Sequence, residues 1–133
     1  MASLPEEVKD LLVPSGEILK VIGTADSNGI PHTIILGTLI AIDDETLAFA
    51  TLSTKTTANN LKTTKKASIV VYKPPMTAYR IEGTYHSSKS SGPLFDKFSK
   101  ELEKIKMTCH SVELIKVDGV YYLGTPEPGK RIV

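Results

Sequence analysis

One lysine set among hydroxyl-bearing residues, Ser53-Thr54-Lys55-Thr56, stands directly ahead of residues 57–65, where Ala58 and Leu61 suit a short helix. A helix start leaves backbone N–H donors without intrahelical partners and carries the positive end of the helix dipole, so it accepts an anion. Lys55 adds a full charge, and Thr51, Ser53, Thr54 and Thr56 add hydroxyl donors. A phosphate monoester needs that combination of a cation and several donors around its oxygens. From spacing alone the string reads first as a Thr54 helix cap beside a solvated Lys55, because short Ser/Thr/Lys strings arise readily by chance.

The other reactive residue types offer less. Cys109 is the chain's one cysteine, so it makes no internal disulfide, and the composition suits a reducing compartment. Cys109 and His110 are neighbours in a strand-like run and point to opposite faces, which argues against a catalytic dyad. His32, His86 and His110 fall on separate predicted strands with no second ligand at helical or hairpin spacing, so no metal site is expected. Hydrolase motifs and Gly-rich dinucleotide signatures are absent. No side chain is nominated as catalytic, which leaves a bound cofactor as the expected reactive centre.

The elements that must position the string follow from periodicity and turn chemistry. Ser3 stands three residues ahead of Glu6 with Pro5 between them, which predicts a capped helix running to about Leu12. Residues 18–25 read as a strand, Asn28-Gly29 as a tight hairpin, and residues 30–42 as one long return strand bent at Gly37. Residues 46–51, 67–72 and 78–86 read as further strands. Ser91-Gly92-Pro93 opens a helix whose Leu94, Phe95, Phe98, Leu102 and Ile105 follow the helical period. A last hairpin is expected from residues 108–117 and 120–123 around Asp118-Gly119, ahead of an extended tail at 125–129. The expected class is β-dominated α+β: a closed or nearly closed barrel of about six to seven antiparallel strands with two or three short helices.

Composition sets the outer bounds. At 133 residues one domain over the whole of 1–133 is expected, and 41% apolar with 23% charged residues is ordinary for a chain with a packed core. Sixteen basic and fifteen acidic residues leave a formal charge of +1, too little for the broad positive field that nucleic acid attracts. No apolar run approaches the ~20 residues of a membrane span and the first residues do not read as a leader, so a cytoplasmic protein is expected.

Taken in order, these pieces resemble the FMN-binding split-barrel family, the pyridoxamine-phosphate-oxidase-like superfamily, and within it the small FMN-binding proteins. The resemblance is carried by the Asn-Gly hairpin followed by Pro31-His32, the strand ending Phe49-Ala50-Thr51, the run Lys55-Thr56-Thr57-Ala58-Asn59, the strand Tyr79-Arg80-Ile81-Glu82-Gly83-Thr84, and the helix at 92–98. It implies an FMN phosphate on Lys55 and Thr56, with Ser53 and Thr51 near it and Asn59 holding the loop from the helix. It places the ring against the strand after Pro31-His32. There the family uses backbone and short polar groups, whereas this chain offers Ile34-Ile35-Leu36-Gly37-Thr38, so the backbone groups of Ile35 and Leu36 are the ones carried over.

The resemblance also implies a homodimer with the site at its interface, covered from the partner chain by Tyr121 or Tyr122. Packing with a satisfied hydroxyl is the other reading of both tyrosines. The implied activity is that of an FMN-dependent oxidoreductase fed by a reduced nicotinamide or a small redox substrate. A non-enzymatic flavin or electron-transfer protein, or a split barrel holding deazaflavin or haem, are its alternatives. Pyridoxamine-phosphate oxidation itself is not carried over, because Lys130-Arg131 in the tail are the only basic residues offered for a second phosphate.

Overall fold

The computed structural model describes residues 2–13, 16–52, 56–124 and 127–133. Its helices are α1 (Glu6–Lys9), α2 (Thr56–Thr64) and α3 (Pro93–Glu103). Its strands are β1 (Leu19–Ala25), β2 (Pro31–Ile35), β3 (Ile40–Ala41), β4 (Thr46–Thr51), β5 (Lys66–Lys73), β6 (Thr77–Lys89) and β7 (Ser111–Tyr122). All pair antiparallel in one sheet of order β2-β1-β5-β6-β7-β4-β3.

The two edges of that sheet, β2 and β3, are joined by residues 36–39 alone. At ~3.3–3.6 Å per extended residue so short a link cannot cross a flat seven-stranded sheet, whose strands lie ~4.8 Å apart. The sheet therefore curls until its edges nearly meet, which makes a barrel with a split between β2 and β4.

Alternation along the strands fills the interior. Ile22, Ile69, Val71, Ile81, Ile115 and Val117 point inward with Leu47 and Phe49, and α1 adds Val8. Strand β4 is buried along its whole length because its other face, Ala48 and Ala50, lies with Val112 and Leu114 under Phe98 and Leu102 of α3. Helix α2 is held to β1 by Asn60 Nδ2 donating to Thr24 Oγ1 (3.1 Å) and Thr64 Oγ1 donating to the Ala25 carbonyl (2.9 Å).

Four sequence expectations need correction. The first helix is a single turn that starts after Pro5, with no side-chain cap from Ser3, and the chain reaches Leu12 through tight i→i+3 bonds. The long strand at 30–42 is two strands on opposite edges of the sheet, so the bend expected at Gly37 is a complete change of edge. The Asp118-Gly119 hairpin does not form. Strand β7 runs straight through it, and Asp118 is the extra residue of a bulge in which Glu82 faces Gly119 and Gly83 faces Val117. A Cβ on Gly83 would strike the Ile115 side chain and the Lys116 carbonyl, so only glycine fits opposite that bulge. Finally, of the extended tail expected at 125–129, residues 125 and 126 lie outside the described residues, while 127–129 turn, with Gly129 N–H donating to the Tyr122 carbonyl (2.6 Å). The chain then folds back on β7, with Ile132 N–H donating to the Val120 carbonyl (2.7 Å) and Tyr122 N–H to the Lys130 carbonyl (2.9 Å).

Candidate functional site

The split supplies a cavity because β3 pairs only with Leu47 and Ala48, leaving β4 from Phe49 onward without a strand on that side. The Ala50 N–H reaches across to Thr38 Oγ1 (2.9 Å), and strand alternation turns the Ala50 carbonyl and the Leu52 N–H to the same side. On the opposite bank the Leu36 N–H is donated to the Lys20 carbonyl (2.7 Å), so the N–H and carbonyl of Ile35 face the outer edge of β2. Between the banks lies a cavity of about 260 Å³ walled by residues 34–38 and 49–52, by Thr57 in the first turn of α2, and by Leu102, Ile105 and Met107 around the end of α3.

Two buried polar residues shape it. Lys20 is 2% exposed, and its ammonium donates to the carbonyls of Val13 (2.8 Å) and Leu39 (3.2 Å), bracing residues 36–39 from behind. Burial draws its pKa below the ordinary value. Thr57 is 1% exposed, and its Oγ1 has no hydrogen-bond partner among the described residues. None of the cavity's described lining residues is charged, so its polar character comes from strand edges, hydroxyls and the helix start.

The structure brings Ile35, Leu36 and Thr51 to one cavity. Leu36 contributes its buried side chain, its N–H being already used, while Ile35 keeps free backbone groups. The Thr51 hydroxyl turns towards β7, sharing a 2.5 Å hydrogen bond with Ser111 Oγ. Thr56 is exposed as the first residue of α2, and Asn59 is exposed on its outer side; its neighbour Asn60 is the buried residue that ties the helix to β1. Ser53 and Lys55 lie outside the described residues. Tyr122 is half-buried against Tyr79, ring centroids 5.7 Å apart, near the C-terminal end of β7 and so remote from the Thr51–Ser111 pair. Cys109 is buried, which pushes its thiol up and leaves it inert.

Sequence reasoning named Thr57, Thr38, Leu102 and Ile105 as parts of their segments but did not nominate them as site residues. The available signal for Thr57 was a hydroxyl beside Ala58 on the apolar side of a short helix, and for Ile105 an apolar residue two positions past the end of α3.

A family model described as Pyridoxamine 5'-phosphate oxidase matches residues 4–123. No curated protein matches the chain. Among solved structures the chain is similar to HupZ of Group A Streptococcus, at 21% identity and a TM-score of 0.82 over 98% of this chain and 99% of that one. It is similar also to an FMN-binding protein of Syntrophomonas wolfei subsp. wolfei, at 18% identity and a TM-score of 0.76 over 91% of this chain and 84% of that one. An F420 reductase superposes with a TM-score of 0.68 at 16% identity, over 88% of this chain and 98% of that one. At these identities the structural likenesses establish the fold, and they agree with the split barrel expected from the sequence.

Proposed function

From the premise that the chain belongs to the pyridoxamine 5'-phosphate oxidase family, we propose that it is an FMN-binding flavoprotein and an FMN-dependent oxidoreductase whose site is the cavity in the barrel split. The observation that carries this reading is Thr57, a fully buried hydroxyl on the cavity wall with nothing described to bond to, at the start of a helix. Buried polar groups are almost always paired, so an orphan of this kind fits a polar ligand atom. The free edges of Ile35 on one bank and of Ala50 and Leu52 on the other offer donors and acceptors to the rim of a flat heterocycle, and Phe49 and Leu36 offer apolar cover. The sequence places Lys55 and Ser53 next to α2, where a phosphate meets the helix start.

In this reading bound FMN supplies the redox chemistry. The chain's own residues do the rest: Lys55, Ser53, Thr56 and Thr57 hold the phosphate end, residues 34–38 and 49–52 orient the ring and exclude water, and Thr51, at the end of β4, stands near the phosphate on the side that faces the ring. A second copy of the chain closes the open side, with Tyr122 of that copy as cover, and a reduced nicotinamide or small redox substrate approaches the exposed ring face. A deazaflavin is the second reading, favoured by the likeness to an F420 reductase. No helix among the described residues is long and apolar enough to cross a membrane.

The visible spectrum of freshly purified protein separates flavin, deazaflavin and haem, since the chromophore belongs to the cofactor. The expected result is a flavin spectrum, restored by adding FMN to stripped protein. A haem or deazaflavin spectrum, or no uptake of FMN, sinks the FMN reading. Rapid reduction by NADH or NADPH in stopped flow then supports an oxidoreductase, and reduction by dithionite alone supports an electron carrier.

A further inference from the structure

Glu113 sits in the middle of β7, opposite Phe49 on β4 and Ser88 on β6, and its side chain is 0% exposed. It takes part in none of the ion pairs among the described residues. Its Oε2 has no described partner, while its Oε1 accepts a long hydrogen bond from Ser111 Oγ (3.5 Å). Ser111 Oγ in turn shares a 2.5 Å hydrogen bond with Thr51 Oγ1, and Thr51 is on the cavity wall. A line of exchangeable hydrogens thus runs from a buried carboxyl to Thr51, a residue of the cavity wall. A buried carboxyl with no ion-pair partner among the described residues is disfavoured in its charged form. A hydrophobic residue would fill this barrel position more stably, so the carboxyl calls for another explanation.

We propose that Glu113, Ser111 and Thr51 form a proton relay for the cavity, passing a proton between the Glu113 carboxyl and a redox-active heterocycle bound there. The inference rests on the flavin reading. In the delivering direction the Glu113 O–H bond breaks as a Ser111 O–H bond forms, the original Ser111 hydrogen passes to Thr51, and the original Thr51 hydrogen passes to the acceptor atom in the cavity. Three O–H bonds break while two O–H bonds and one bond to the acceptor form. The negative charge stays on Glu113, no electron moves through the protein, and the opposite redox change runs the relay backwards. At rest Thr51 Oγ1 also donates to the Ser111 carbonyl (3.3 Å), so the relay requires that hydroxyl to swing its hydrogen from the carbonyl to the cavity.

The titratable groups facing the relay are few. Tyr85 on β6 is raised by its own burial and next by Glu113, with the Lys65 ammonium 5.2 Å from its ring centre. The Cys109 thiol donates to the Ser111 carbonyl (3.6 Å). From β4, Phe49 faces Glu113 and Thr51 faces Ser111, and neither titrates in the ordinary range.

The test is carbon NMR of protein labelled at the glutamate carboxyl, read in stripped and FMN-loaded protein, with E113Q assigning the signal. In stripped protein S111A and T51V should each move the Glu113 carboxyl signal, because each breaks the line at a different link. In loaded protein, chemical reduction of the flavin should shift the Glu113 carboxyl signal, and S111A should abolish that shift while FMN still binds. Proton uptake on reduction should slow by about a hundredfold in S111A and E113Q, the lower end of what positioned acid–base groups contribute. If E113Q fails to fold, S111A and T51V carry the test. FMN binding with a Glu113 signal unmoved by reduction overturns the relay alone, and failure of the stripped protein to take FMN overturns the flavin reading and the relay with it.

Discussion

A buried hydroxyl with nothing to bond costs a fold about 1–3 kcal/mol, and Thr57 carries one on the cavity wall. Thr57→Val keeps the shape and removes the orphan, so the stripped protein should become more stable by about 1 kcal/mol while its affinity for FMN falls. Thermal melts and ligand titration of the same samples read the two effects, and a destabilised stripped protein would show that the hydroxyl has a partner. Lys55→Ala acts on the other half of the ligand. It should cost FMN binding about 1.5–3 kcal/mol, roughly ten- to a hundredfold in affinity, and leave riboflavin, which has no phosphate, nearly unaffected. Equal losses for both ligands would mean that Lys55 serves the fold or the ring.

Lys20 offers a pH signature. Its folded-state pKa lies below its unfolded value of 10.5 because burial disfavours the charged form. Between those two values the unfolded chain holds a proton that the folded chain has released, so this residue makes stability rise with pH in that window and level off above 10.5. Lys9 has the opposite sign, since hydrogen bonds to Asp44 and Glu6 raise it above 10.5, and what it contributes is lost only on the alkaline side of that value. Denaturant midpoints measured across the alkaline range should therefore lose the rise below 10.5 in Lys20→Met and keep it in Lys9→Met. A slope unchanged in Lys20→Met would rule Lys20 out as its source.

At the scale of elements, what was legible depended on whether the deciding interaction was local. Strand β4 and helices α2 and α3 were readable because their apolar periods and flanking turn residues lie within each segment. The bulge at Asp118 was not, since Asp-Gly has the same local chemistry whether it turns a hairpin or inserts one residue opposite Glu82 and Gly83. The change of edge at residues 36–39 was hidden for a similar reason: nothing in Ile35-Leu36-Gly37 says that the next residues pair with β4 on the far side of the split. The site was half legible. Ile35, Leu36 and Thr51 meet at the cavity, but Thr57 depends on how α2 is rotated over the barrel, which packing of Ala58 and Leu61 decides. The bulge yields its own test. Gly83→Ala forces a methyl into the Ile115 side chain and the Lys116 carbonyl, and overpacking of this kind costs typically ~1–3 kcal/mol. Chemical denaturation should show that loss, and a neutral outcome would mean the two strands separate more easily than their pairing implies.

At the scale of the whole molecule the flavin reading has to explain how one barrel would cover a ligand of that size. The cavity of about 260 Å³ falls short of the ~300–1,000 Å³ usual for small-molecule sites. It opens into a groove under α3 that shares Gly37, Thr38, Leu102 and Ile105 with it, and Ile35 also borders a second groove beside Leu19 and Tyr72. The rim is apolar and uncovered, with Ile35 at 71% and Ile105 at 63% exposure. Contiguous apolar surface of that kind marks an association face, and a stable interface buries ~1,200–2,000 Å² in total. A second copy of the chain laid across the split would cover these residues and deepen the cavity in one step, which links assembly to ligand binding. The protein should therefore sediment at twice its 14.4 kDa chain mass at micromolar concentration. The double variant Ile35→Glu with Ile105→Glu should sediment as a monomer, because two buried carboxylates on each side oppose association. That variant should also bind FMN at least about tenfold more weakly, a loss of roughly 1.4 kcal/mol, while its circular dichroism stays that of the folded barrel. Were the unmodified protein to sediment as a single chain with one FMN fully bound, the site would be complete within one barrel, and the exposed isoleucines would need another explanation.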